Sequence, residues 1–345
     1  MSGRVPVEST HRALAVLLLL TVCTSAAAGA PAAAPGRILQ PVADVPLGGN
    51  PTRLDYESLD PGRHLLFIAH LGDSAVIVFD TQTQRVVKRI PGISKVHGVL
   101  AVPELGIAYA SATGTNEVVA IDERTLLVTA RAPGGVYPDG MAYAPEVHKL
   151  YVSDEHGDSD TVIDVRTNSR VATIPLGGDV GNTQYDPVTR HIFVNVQTRE
   201  QLVEIDPAND RVVARIDLPG AEGNHGLLIE PEQHRAFIAC EGNRKLLVLD
   251  LGTRKVSKSF DVGDGPDVLA YDSALGYLYV AAESGVVSVF KTNGGRVEKL
   301  ADVKLGANAH VVAADPDTHR SYFPLKDVGG RTLLRIMRPG EETAP

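Results

Sequence analysis

The sequence has no tryptophan, and aromatic residues make up only 5% of it. That leaves little with which to build a stacking platform for sugar rings. It has two cysteines, Cys23 and Cys240. Cys23 falls in an N-terminal stretch that reads as a leader, so a single thiol remains and no intramolecular disulfide can form. The core must then be held by packing. Cys240 ends the run Phe237-Ile238-Ala239-Cys240 and reads as a small buried apolar residue, a reactive thiol being the alternative. A basic stripe is missing too. The charges are interspersed and sum to −9, which argues against nucleic acid, whose affinity rests on neutralised phosphates. No apolar run approaches the roughly 20 residues that a membrane-spanning helix needs. Gly-x-Ser-x-Gly, phosphate-loop and His-Glu-x-x-His signatures are absent as well.

What is there begins with the leader. Arg4 and Arg12 precede a mostly apolar run from Ala13 to Val22, followed by small residues from Ser25 to Ala34. That order is the grammar of a secretory signal peptide. Residues 1–34 are expected to be removed, by cleavage between Ala27 and Ala34, leaving a periplasmic or secreted protein. Val22 fills the position before Cys23 that a lipoprotein site reserves for a small residue. The expected remainder is one domain from 35 to 339 and a short polar tail, 340–345, working as a monomer.

A repeat decides the fold class. The segments Val78-Phe79-Asp80, Ala120-Ile121-Asp122, Val162-Ile163-Asp164, Glu204-Ile205-Asp206 and Val248-Leu249-Asp250 each end an apolar run with Asp and enter a polar turn. Their Asp residues step by 42, 42, 42 and 44. A sixth copy, Phe290-Lys291, keeps the frame without the acid. Out of phase with these run seven copies of a second landmark: Leu66-Phe67-Ile68-Ala69, Ala108-Tyr109-Ala110-Ser111, Leu150-Tyr151-Val152-Ser153, Ile192-Phe193-Val194-Asn195, Ala236-Phe237-Ile238-Ala239, Leu278-Tyr279-Val280-Ala281 and Ser321-Tyr322-Phe323-Pro324. Short apolar, β-branched stretches broken by Gly, Pro, Asn and Asp read as strands and turns. Four such strands per unit match a propeller blade. The repeat Asp residues themselves cap their own turns and need no further role.

Tyr151-Val152-Ser153-Asp154 and Phe193-Val194-Asn195, with the Asp-x-x-Thr turn, the following Val and a later Pro-x-Gly-Gly, resemble the YVTN β-propeller repeat family over residues 40–339. The resemblance implies an all-β, seven-bladed propeller of four-stranded antiparallel blades. The ends imply how it closes. Val42-Ala43-Asp44-Val45-Pro46-Leu47-Gly48-Gly49 nearly repeats Val171-Ala172-Thr173-Ile174-Pro175-Leu176-Gly177-Gly178, an outer strand and its exit turn. The last repeat lacks that strand, so the N-terminal strand is expected to complete the seventh blade and leave no open edge.

Propeller geometry, carried over from the resemblance, sorts the histidines. His64, His148, His191, His234 and His319 precede the second strand of their blades and fall on one face as turn residues. His97, His225 and His310 are placed at the start of innermost strands, sharing a ring with Arg53, Asp139, Asn182 and Asp267 at one mouth of the channel. These seven are the expected ligand-binding residues. A water-filled polar channel would also explain such a ring. Neutral imidazoles, however, are common ligands of divalent metals, so His97, His225 and His310 are candidate ligands for a metal cofactor. A second layer comes from His70-Leu71-Gly72-Asp73, from the acidic segment Asp154 to Asp160, expected to be a solvated loop, and from Glu241-Gly242-Asn243-Arg244 and Glu283-Ser284-Gly285. Glu241 beside His225 and Glu283 beside Asp267 would make acid–base pairs.

Three functions compete. The first is an exported binding module taking a small molecule, metal or protein partner at the mouth. The second is a metal-dependent lyase or hydrolase with His225, Glu241 and His310 as catalytic candidates, since streptogramin lyases are seven-bladed propellers with His and Glu on one face. The third is a protein-interaction scaffold.

Overall fold

The computed structural model describes residues 1–4 and 38–340. The expected leader beyond residue 4, its cleavage region, Cys23 and the tail beyond 340 lie outside the described residues. The remainder forms seven four-stranded sheets, each an antiparallel meander. Blade one runs outward through Glu57–Asp60, Leu65–His70, Ala75–Asp80 and Arg85–Pro91. The innermost strands of blades two to six are Val96–Val102, Pro138–Ala144, Val180–Asp186, Asn224–Glu230 and Pro266–Asp272. Blade seven contributes Ala313–Asp315, Arg320–Leu325 and Leu333–Pro339, and the first strand, Leu39–Pro46, pairs antiparallel with the last of these. The closure read from the two ends is therefore the one formed. Among the described residues, no helix is long and apolar enough to cross a membrane.

The second strands read as continuous apolar runs because both their faces are buried. In blade one, Leu66 and Ile68 join a cluster with Tyr322, Leu334 and Ile336 of blade seven. The intervening Phe67 and Ala69 point the other way, into a cluster with Val99, Ala108 and Ala110 of blade two. Each pair of neighbouring blades has such a cluster, so the core is a ring of blade–blade seams. Outer strands instead alternate exposure, as in Leu127–Pro133, because one face meets solvent.

The turn chemistry follows the sequence. Asp80 accepts from the amides of Gln82 and Thr83 at 2.9 and 2.7 Å, and Asp122 and Asp250 accept from the amides and hydroxyls of Thr125 and Thr253. Where Lys291 replaces the Asp, the strand runs on to Asn293 and turns through Gly294 and Gly295, both at positive φ. A tight two-glycine hairpin needs no acidic cap. Cys240 is fully buried, and burial pushes its thiol up to about 12, which suits the apolar role.

Candidate functional site

A β-bulge builds the mouth. In blades two to six, the pairing of the first two strands skips residues between Val96 and Val99, Pro138 and Met141, Val180 and Thr183, Asn224 and Leu227, and Pro266 and Leu269. An extra residue in a bulge is turned out of the ladder and re-aimed. The first skipped residues are His97, Asp139, Gly181, His225 and Asp267. Registers at the other end of the strands place Asp55 and His310 at the same point of blades one and seven.

Two ring assignments therefore change. Asn182 lies one residue past the ring position, which Gly181 holds, so the ring is not polar throughout. Arg53 lies two residues before it, and Asp55 is the occupant. In blade one the reason is the lead-in loop, which runs from the buried Leu47 to Asp55, whereas blade four needs only Leu176 to Gly181. That longer loop is clamped from below. Asp73 accepts from the amide and side chain of Asn50, while His70, fully buried, contacts Thr52 Oγ1 at 3.0 Å and accepts from Arg89 at 2.9 Å. His70 and Asp73 thus hold the loop and do not line the mouth.

In blades two, three and five the residue after the ring position is glycine, and in blades two and five there is a steric reason. A Cβ on Gly98 or Gly226 would lie 2.0 Å from the carbonyl oxygen of Asp139 or Asp267 on the next blade. Blades approach there as closely as backbone allows. Blade one carries Tyr56 at that position, and the ring fills the channel. Its hydroxyl donates to Asn182 Oδ1 at 2.6 Å and lies 3.1 Å from His225 Nε2. Tyr56 lines both the mouth cavity of about 540 Å³ and a second cavity of about 290 Å³ towards the opposite end, so it divides the channel. Its phenol is pushed well above its ordinary value by burial and by the carboxylates of Asp139, Asp267 and Asp55.

Six carboxyl groups line the mouth: Asp55, Asp139, Glu155, Glu241, Asp267 and Glu283. Arg53 and Lys95 are its two permanent cations. Arg53 bonds Asp55 at 2.9 Å and Glu283 at 2.7 Å, and Asn308 also donates to Glu283. Burial, reinforced by neighbouring acids, pushes the carboxyls of Asp139 and Asp267 well above the ordinary range. Each is almost fully buried and keeps one oxygen, Oδ1, without a hydrogen-bond partner.

The histidines differ in their fixing. His97 Nδ1 lies 2.9 Å from Lys95 O and His310 Nδ1 lies 3.0 Å from Asn308 O. In both, a carbonyl acceptor puts the proton on Nδ1 and leaves Nε2 as the lone-pair donor. Lys95 and Asn308 hold positive φ, as does Tyr137, two residues before Asp139. Such backbone is costly for non-glycine residues and here points the carbonyls at the rings. His97 Nε2 is taken by the Tyr137 hydroxyl at 3.0 Å, and Tyr137 in turn packs against His156 with the two rings tilted by 41°. His310 is 1% exposed, its Nε2 has no partner, and burial holds its pKa below the usual value.

The three histidines do not converge on one point. The side-chain ligand atoms that do come together are those of His225, Glu241 and Asp267 and those of Asp267, Glu283 and His310, each set within 4.8 Å. His97 belongs to neither, because it faces blade three while the two triads lie on blades five to seven. The pairings of Glu241 with His225 and of Glu283 with Asp267 fall within these sets.

The acidic segment of blade three is a solvated turn only in its middle, where His156 and Asp158 are exposed; its two ends are buried. Asp154 and Asp160 are fully buried in strands; Asp154 accepts from Ser159, Thr161 and the amide of Gly135, and Asp160 accepts from Thr183. Burial pushes the Asp154 carboxyl up to about 6. Only Glu155 of this segment reaches the mouth. Asp55, Tyr56, Lys95 and Tyr137 are the mouth residues that periodicity missed. Tyr56 had a visible signal, a bulky ring where three other blades place Gly98, Gly140 and Gly226.

No protein-family model matches the chain, and no curated protein sequence does. Solved structures do. A chain of hydrazine synthase from Kuenenia stuttgartiensis is 17% identical with a TM-score of 0.72, over 84% of this chain and 96% of that one. The RRP9 WD40 repeats are 12% identical with a TM-score of 0.74, over 87% and 100%. A chain of the mitotic checkpoint complex is 11% identical with a TM-score of 0.72, over 95% and 99%. At these identities the likeness is one of fold alone, a seven-bladed propeller, and fold by itself assigns no function.

Proposed function

We propose that the chain is an exported, monomeric binding module of the YVTN type that captures a positively charged ligand at the acidic mouth of its channel. Export rests on the leader features between Arg4 and Ala34, and the family on the Tyr-Val-Ser-Asp and Asp-x-x-Thr text. The ligand class rests on one observation. Six carboxyl groups against two permanent cations surround a cavity of about 540 Å³, and buried Asp139 and Asp267 each present an oxygen that nothing satisfies. Buried polar atoms without partners are costly, and a cationic ligand would satisfy both. Tyr137 adds an aromatic face for an organic cation.

Thermal unfolding of the mature chain in the presence of polyamines, quaternary ammonium and guanidinium compounds, divalent ions and matched anions tests this. At least one cation should raise Tm by several degrees, anions should not, and Asp139→Asn/Asp267→Asn should lose the shift. A panel in which no cation acts, or in which the double variant responds equally, refutes the reading.

A further inference from the structure

We infer that the mouth is a site for two divalent transition-metal ions bridged by the carboxylate of Asp267; this rests on, and sharpens, the cation-binding reading. Asp267 belongs to both ligand sets, His225–Glu241–Asp267 and Asp267–Glu283–His310. Its two oxygens are divided between them: Oδ1 lies 3.5 Å from His225 Nε2, and Oδ2 lies 4.0 Å from His310 Nε2. Glu283 Oε1 is 3.8 Å from the same His310 nitrogen. These gaps are too long for good hydrogen bonds. They suit two donors on one ion: ligands about 2.1 Å from a metal are about 3.4 Å apart at a tetrahedral angle and about 4.2 Å apart when opposite.

One ion cannot take both histidines. No set of ligand atoms within 4.8 Å contains His225 and His310 together among the described residues. A carboxylate with one oxygen towards each imidazole is the arrangement that bridges paired ions, which sit about 3.5–4 Å apart in such centres. The partnerless atoms fall where this requires them. Asp267 Oδ1 faces the first subsite and His310 Nε2, on a residue 1% exposed, faces the second. The Asn308 carbonyl on His310 Nδ1 supplies the outer hydrogen bond that orients a ligating imidazole.

The donor set selects the metal class. One imidazole and two carboxylates per subsite suit zinc, manganese, iron, cobalt or nickel, whereas calcium and magnesium prefer oxygen alone. An ion must displace two occupants: the Tyr56 hydroxyl, 3.1 Å from His225 Nε2 in the first subsite, and Arg53 in the second. The Arg53 side chain is 40% exposed and holds Glu283 at 2.7 Å, and its outer end can swing to solvent while staying paired with Asp55.

The test uses the mature chain without a histidine tag, stripped with chelator and titrated with Zn²⁺ by calorimetry, with Co²⁺ absorption as a second readout. Two equivalents should bind. His225→Ala and His310→Ala should each retain one, Asp267→Asn should retain neither with an unchanged circular dichroism spectrum, and Arg53→Met should tighten binding at least tenfold. Glu241→Gln, at an exposed position, gives a variant of the first subsite that does not depend on core packing, and it too should retain one equivalent. A single equivalent indifferent to His225→Ala overturns the bridged pair. So does the absence of metal binding: if organic cations still raise Tm, the pair alone falls, and if nothing binds, the cation-capturing mouth falls with it.

Discussion

At the scale of single residues, the mouth is held by side chains that tie down the bulge. The fourth residue of the Tyr-Val-Ser-type strand motif does this. Ser111 Oγ accepts from the Gly98 amide at 2.7 Å, and Ser153 donates to Gly140 O at 3.1 Å. Asn195 goes further and crosses to the next blade. Its amide donates to the carbonyls of His225 and Gly226, both at 3.0 Å, and its oxygen accepts from Asn224. A motif recognisable as repeat text is thus also the fixing of the ring residues. Asn195→Ala leaves buried carbonyls on both sides of the His225 bulge without donors. It should cost about 2 kcal/mol, since unsatisfied buried groups are dearer than the bonds that served them. Urea unfolding would measure the loss, and a midpoint within error of the parent protein would contradict this account of the motif.

At the scale of elements, strands and turns were legible and the bulges were not. Period-two alternation and capped Asp turns identify a strand by its own sequence. A bulge is a relation between two strands, so counting along one of them misplaced Arg53 and Asn182 while placing His97, Asp139, His225, Asp267 and His310. The buried state of Asp154 and Asp160 was hidden for a related reason: hydrogen bonds from Thr161 and Thr183, residues that read as ordinary strand text, hold acids that look solvent-seeking, although Asp160 keeps Oδ1 without a partner. Another buried acid stitches neighbouring elements at the opposite face. Glu123, at the turn after the third strand of blade two, pairs with Arg63 at 3.2 Å, and Arg63 also pairs with Asp60 of blade one at 2.9 Å. Burial and the adjoining Asp60 raise Glu123 from its ordinary 4.5 to about 7. The folded state therefore keeps a proton that the unfolded state releases, and stability should fall as pH rises from 4.5 to about 7. Asp60 is shifted the other way: although burial opposes it, its hydrogen bonds with Arg63 hold it below its ordinary 3.8, so its contribution is lost only at more acid pH. Glu123→Gln should flatten the Tm–pH profile between these limits, by a few degrees, relative to the parent. Parallel profiles for the two proteins would show that Glu123 does not carry the proton.

At the scale of the whole molecule, the ring depends on a contact between the two ends of the described chain. Two kinds of interaction join them, and they are not equal. Arg335 pairs with Asp44 at 2.6 Å, but both are partly exposed, and such pairs are worth about 1 kcal/mol or less. The strand Leu39–Pro46 also supplies a full antiparallel ladder to Leu333–Pro339. It inserts Leu39, 2% exposed, into the seam between blades six and seven, and the chain then carries Leu47 into the seam between blades seven and one. Losing the ladder bares the edge of a strand whose Leu334 and Ile336 are fully buried, and an uncovered apolar edge invites pairing between molecules. Asp44→Asn should therefore shift Tm by no more than a degree or two. A chain that begins at Leu47 should instead associate on size-exclusion chromatography and lose its cooperative unfolding. A synthetic peptide of residues 38–46, added in excess, should restore the parent's elution position by refilling the outer place in blade seven. A truncated chain that elutes and melts like the parent would mean that the seams between the other blades, and not the meeting of the ends, hold the ring shut.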